Sequence, residues 1–211
     1  MSNDHTHAPP RPDDPEPRTD HERLGVALSN LLIEKGIYTA EEERRRIDAL
    51  EGVTPATGAA VVARAWVDNA FMNRLLTNAT QAVAELGIEH TGSELTAVAN
   101  TPRLHNLVVC TLCSCYPRSL LGRPPAWYKS KPYRARAVRE PRRILAEFGT
   151  HIATEKEIRV HDSTAELRYI VIPMRPPETQ GWSEEELAAI IDRDAMIGVA
   201  EVRVETPGSV T

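Results

Sequence analysis

The chain has 211 residues, 41% hydrophobic and 26% charged, the balance of an ordinary globular protein with room for one sizeable domain plus an arm. A formal net charge of -5 argues against nucleic acid or an anionic membrane surface as a partner, and no apolar run reaches the length of a membrane span. The opening MSNDHTHAPPRPDDPEP is polar and proline-rich with no apolar signal region. A cytoplasmic protein is therefore expected, in a compartment that keeps thiols reduced unless a metal or a reaction claims them.

Residues 1–19 lack aliphatic side chains to bury and read as a disordered tail. From His21 to Lys35, Leu24, Leu28, Leu31 and Leu32 recur at helical spacing, with Gly36 as a stop. Thr39 to Glu42 reads as a capping box opening a second helix, and Thr54-Pro55 as the start of a third through Val61, Val62 and Trp66. Residues 69–86 read as a further helix with Phe71, Leu75, Ala79 and Val83 on one face. Residues 20–90 thus read as a helical arm, with two readings open: a small bundle of its own, or a clasp on a partner chain.

Beyond Ser93 the texture changes. Glu94–Ala99, Asn106–Val109, Glu157–Val160 and Leu167–Ile172 read as strands, and Met196–Val204 as a last strand-like segment. Residues 117–131 read as a loop, 132–148 as a helix restarted at Pro141, and Ser183–Glu186 as a capping box opening another helix. Strands mixed with helices predict an α+β fold, with a layered domain over 91–211 behind the helical arm.

All three cysteines, Cys110, Cys113 and Cys115, fall within six positions directly after an apolar run. An odd number so close together suits no disulfide framework. Three readings stand. The cysteines are inert buried side chains; or they bind zinc with His105 as fourth ligand in an interaction module; or Cys113-Ser114-Cys115 chelates a metal through its backbone. In the third reading, deprotonated amides of Ser114 and Cys115 close one six-membered and two five-membered rings with the metal. Two nitrogens and two sulfurs then lie in a plane, with Cys110 on one axial side and one position open. Amide anions suit a small trivalent ion better than zinc.

The motif Val109-Cys110-Thr111-Leu112-Cys113-Ser114-Cys115 resembles the metal-binding motif of nitrile hydratase α subunits and of the related thiocyanate hydrolase γ subunit. Tyr116-Pro117, Trp127-Tyr128-Lys129-Ser130, Tyr133-Arg134, Arg168-Tyr169 and Met196-Ile197-Gly198-Val199-Ala200 extend the likeness over residues 22–200. The resemblance implies the α+β fold of that family and a heterotetramer with a β subunit. With Thr111 and Tyr116 as they stand, it implies a non-corrin Co(III) centre loaded by an activator protein. It further implies that Cys113 is a sulfinic acid, Cys115 a catalytic sulfenic acid assisted by Ser114, and Cys110 a thiolate. Arg168 would donate to the oxidised sulfurs, and Tyr116 and Trp127 would line or support a pocket for a small nitrile hydrated to its amide. Arg118, where many nitrile hydratases carry tryptophan, is familiar from thiocyanate hydrolase and would favour an anionic substrate.

Overall fold

The computed structural model describes residues 19–204, which divide into two compact units between Asp48 and Ala49. The expected tail, apart from Thr19, lies outside the described residues.

In the first unit, α1 (Asp20–Glu34) starts at a capping box: Thr19 Oγ1 accepts from the Glu22 amide at 3.2 Å, and the Glu22 carboxylate from the Thr19 amide at 3.0 Å. α2 (Ala40–Gly52) repeats the device, with Thr39 Oγ1 accepting from the Glu42 amide at 3.1 Å. The apolar stripe of α1 is not buried: Leu24, Leu28 and Leu31 stay 66, 56 and 44% exposed.

The second unit holds the core. α3 (Pro55–Val67) opens at the Thr54 cap, as its Thr-Pro start predicts, and buries Val61, Val62, Ala63 and Ala65. The helix expected over 69–86 is two, α4 (Asn69–Thr77) and α5 (Ala79–Ala84). Asn78 turns extended between them and its side chain accepts from the Gln81 amide at 3.0 Å, so a cap residue interrupts an otherwise continuous apolar stripe. Because α3, α4 and α5 place Val62, Phe71, Leu75 and Val83 in the core, the boundary between units falls at Asp48 rather than near residue 90.

Four strands make two parallel pairs: β1 (Glu94–Ala99) with β4 (Leu167–Ile172), and β2 (Leu104–Val109) with β3 (Glu157–Asp162). Between β2 and β3 come α6 (Arg118–Leu121) and α7 (Ala126–Lys129), then α8 (Lys131–Arg139) and α9 (Pro141–Glu147). The expected loop at 117–131 therefore carries two short helices, each begun behind a proline, Pro117 and Pro125. α10 (Glu184–Ala189) follows the Ser183 capping box, and α11 (Arg193–Ile197) is capped by Asp192, which accepts from the Ala195 amide at 2.7 Å.

That last helix replaces the start of the strand expected over 196–204, and no strand follows it among the described residues. Gly198 ends it at φ +88°, with a Cβ there only 2.0 Å from the Asn106 carbonyl oxygen. Only glycine permits both the left-handed turn and this approach.

A buried polar chain joins the two strand pairs. His161 Nε2 donates to Asn106 Oδ1 at 2.9 Å, and Asn106 Nδ2 donates to the Ala99 carbonyl at 2.8 Å and to Asn100 Oδ1 at 3.0 Å. His105 Nε2 donates to the Gly198 carbonyl at 2.7 Å.

Burial holds the pKa of His105 and His161 below the ordinary 6.5. The folded chain keeps both neutral where the unfolded chain takes up protons, so stability is present above about pH 6.5 and is lost as pH falls below it. Urea unfolding midpoints are therefore expected to drop between about pH 6.5 and 5. His161→Gln should flatten part of that slope; an unchanged slope contradicts the assignment.

Candidate metal centre

The cysteine loop leaves the carboxyl end of β2, where Val109 is paired with Asp162 at the end of β3. A crevice beyond the carboxyl ends of parallel strands is where such layered folds place their ligands. Cys110 is buried, Cys115 half-buried and Cys113 exposed, and their sulfur atoms lie within 4.8 Å of one another. The Cys110–Cys113 and Cys113–Cys115 Sγ separations are 3.4 and 3.1 Å, far too long for disulfides.

Four outside groups pin the loop. The Asp162 carboxylate accepts from the Thr111 amide at 2.9 Å and from its hydroxyl at 2.6 Å. Arg134 Nη1 donates to the Cys113 carbonyl at 2.9 Å, and the Tyr128 hydroxyl to the Cys115 carbonyl at 2.8 Å. Tyr133 caps the strand end, donating to the Val108 carbonyl at 2.7 Å. With its carbonyls engaged outward, the loop turns the Ser114 and Cys115 amides toward Cys113 Sγ, and both lower that thiol's pKa.

The sulfur electrostatics are uneven. Hydrogen bonds from Cys115 and then Cys110 bring Cys113 down to about 7, while burial and then the Cys113 contact push Cys115 up to about 12. The neighbouring thiols and amides thus favour the charged form of Cys113 over that of Cys115. Convergent sulfurs beside two inward-facing amides are a donor set that fits a metal ion.

The other expected residues divide. Arg168 is half-buried on β4; it donates to the Thr164 and Leu167 carbonyls, and reaches Cys115 only through its charge, which lowers the thiol pKa. Tyr116 is buried edge-on against Tyr128, ring centroids 5.1 Å apart, and its hydroxyl has no hydrogen-bond partner among the described residues. Trp127 packs edge-on among Tyr133 and Phe148, ring centroids 4.9 and 4.8 Å away, and against Tyr128 at 5.9 Å. Ser114 is half-buried and Arg118 exposed. His105 does not join the cysteines: it is buried against Gly198 near the start of β2, which removes the fourth ligand of the zinc reading. Sequence reasoning missed the pinning role of Asp162, Arg134, Tyr128 and Tyr133. The aromatic and basic run 127–134 was visible, but nothing in it told a carbonyl-capturing hydroxyl from plain packing.

The chain belongs to a family of thiolate-loop metal proteins, the nitrile hydratase α chains, whose family model matches residues 19–200. It is 50% identical over 176 residues to a cobalt-containing nitrile hydratase α subunit of Pseudonocardia thermophila, covering 82% of this chain and 86% of that protein. It is 42% identical over 202 residues to the thiocyanate hydrolase γ subunit of Thiobacillus thioparus, covering 90% and 82%. Among solved structures, a recombinant thiocyanate hydrolase with partially modified cobalt centres superposes with a TM-score of 0.82 at 39% identity, over 92% of this chain and 97% of that one.

Removing the outer anchor is expected to loosen the loop without unfolding the core. Asp162→Ala should weaken metal retention by ~10–100-fold, the usual cost of losing a supporting contact behind a metal ligand. Dialysis against a chelator followed by metal analysis measures this. Retention equal to the parent chain would show that the Thr111 contact does not hold the loop.

Proposed function

We propose that this chain is the α subunit of a cobalt nitrile hydratase, a hydro-lyase converting small nitriles to amides. The convergence of Cys110, Cys113 and Cys115 with the inward amides of Ser114 and Cys115 carries the reading. Those three sulfurs and two nitrogens would hold the ion, and strong amide and thiolate donors suit trivalent cobalt. When bound, cobalt supplies Lewis acidity that makes a nitrile carbon electrophilic.

The chain's own residues do the rest. Cys113, the exposed thiol, is the sulfur that dioxygen oxidises to a sulfinic acid, both oxygen atoms passing to the sulfur. Cys115, as a sulfenate, takes a proton from the water whose oxygen adds to the nitrile carbon and passes it to the nitrile nitrogen, and the imidic acid so formed tautomerises to the amide. The Ser114 hydroxyl orients the sulfenate oxygen. Arg168 stabilises the negative charge on Cys115, and Tyr116 and Trp127 hold the loop's aromatic backing in place.

A β subunit completes the site in an α2β2 assembly, and an activator protein delivers the cobalt. The chain offers surfaces for such partners. Leu112, 85% exposed at the tip of the cysteine loop, borders a hollow of about 470 Å³ with Arg134 and Val138. The bare stripe of α1 supports the arm as a second contact. Free thiols committed to a metal fit a cytoplasmic setting, and among the described residues no helix is long and apolar enough to cross a membrane.

Arg118 favours a second reading, a thiocyanate hydrolase γ subunit releasing carbonyl sulfide and ammonia. It puts an exposed cation three residues after Cys115, where an anionic substrate would meet it. The assay that separates them offers acrylonitrile, benzonitrile and thiocyanate to the chain co-purified with its partner. Amide formation, abolished in Cys115→Ala, is expected; carbonyl sulfide release without amide would replace the first reading with the second.

A further inference from the structure

His90 belongs to none of the elements above and to no role assigned so far. Its half-buried ring lies in the connection between α5 and β1 and uses both nitrogens: Nδ1 is 2.7 Å from Ser119 Oγ and Nε2 is 3.0 Å from Ser93 Oγ. Ser93 stands immediately before β1. Ser119 is the second residue of α6, the helix by which the chain leaves the cysteine loop.

α6 is weakly held by its own means. It has four residues, no side-chain cap, and starts behind Pro117. Its own turn rests on the amides of Leu120 and Leu121, both bonding to the Pro117 carbonyl, and of Gly122 bonding to the Arg118 carbonyl, each at 3.0 Å. A helix this short does not persist by propagation alone. Leu120 and Leu121 anchor one side in the core, while Arg118 is exposed on the other. The His90–Ser119 bond adds a directional tie to the turn that fixes where the loop emerges.

We infer that His90 is a positioning residue for the cysteine loop, its imidazole clamping α6 to the entrance of β1 through Ser119 and Ser93 and so fixing the exit of the loop and the place of Arg118. The inference rests on the proposed metal role of that loop. The charge bearing on the ring is that of Arg168 on β4, which also bears on Cys115. Burial and that same cation hold the ring neutral. A neutral ring donates at one nitrogen and accepts at the other, which the two serine hydroxyls satisfy in complementary senses.

The test is amide hydrogen exchange, read by mass spectrometry on the chain co-purified with its partner. His90→Phe keeps the ring volume and removes both polar atoms; His90→Gln keeps a donor and an acceptor. Exchange across residues 118–122 is expected to rise roughly tenfold in His90→Phe, the scale of losing about one hydrogen bond, and to return toward the parent rate in His90→Gln. Ser119→Ala should reproduce the Phe variant, which guards against a general loss of fold. Unchanged exchange in His90→Phe and Ser119→Ala, or a Gln variant as loose as the Phe variant, overturns the inference. This readout needs no substrate, so a complex inactive on nitriles would count against the proposed function and leave the clamp to stand or fall separately.

Discussion

Three sulfur atoms at 3.1 and 3.4 Å from one another are not a resting arrangement for free thiols, and the structure around residues 110–115 is organised to hold them there. The loop is short, so its geometry is set by where its carbonyls point. Arg134 and Tyr128 draw the Cys113 and Cys115 carbonyls outward, and Asp162 takes both the amide and the hydroxyl of Thr111. Turned toward the sulfurs are the amide of Cys113, which donates to Cys110 Sγ at 3.3 Å, and those of Ser114 and Cys115. Charge-assisted bonds such as those of Asp162 and Arg134 are roughly twice as strong as neutral ones, which suits them to opposing the crowding.

The parallel pairing explains why this is possible at one end of the sheet. β2 and β3 finish side by side at Val109 and Asp162, so Thr111, the second residue after one strand, meets the last residue of the other. Behind them, Trp127, Tyr133 and Phe148 stack edge to face and fix the tyrosine hydroxyls that reach the strand end and the loop. At the opposite end of β2, His105 and Asn106 tie the strand to Gly198 and to the end of β1. The strand carrying the cysteines is thus held at both ends by polar contacts and along its length by burial.

Much of this was legible in the residues. The capping boxes at Thr39 and Ser183, the Thr54-Pro55 start and the restart at Pro141 each act through local chemistry, and each is present. The cysteine spacing brought three sulfurs to one place, as found, and chelate ring size made a backbone donor set one of three readings. What escaped was decided by tertiary approach. Asn78 interrupts a continuous apolar stripe, and Met196–Ile197 reads as strand until Asp192 and Gly198 close it into a helical turn. Tyr128 on α7 and Asp162 on β3 gain their roles by meeting the cysteine loop across 13 and 51 residues, a pairing that periodicity does not encode.

The central claim is that backbone nitrogen and cysteine sulfur together form the metal site. X-ray absorption at the metal edge of the purified complex tests it most directly. The account predicts one cobalt per chain with a mixed shell of short nitrogen and longer sulfur scatterers, and intact mass showing two oxygens on Cys113 and one on Cys115. Stoichiometric zinc in a shell of sulfur and imidazole, with unoxidised cysteines, would contradict it.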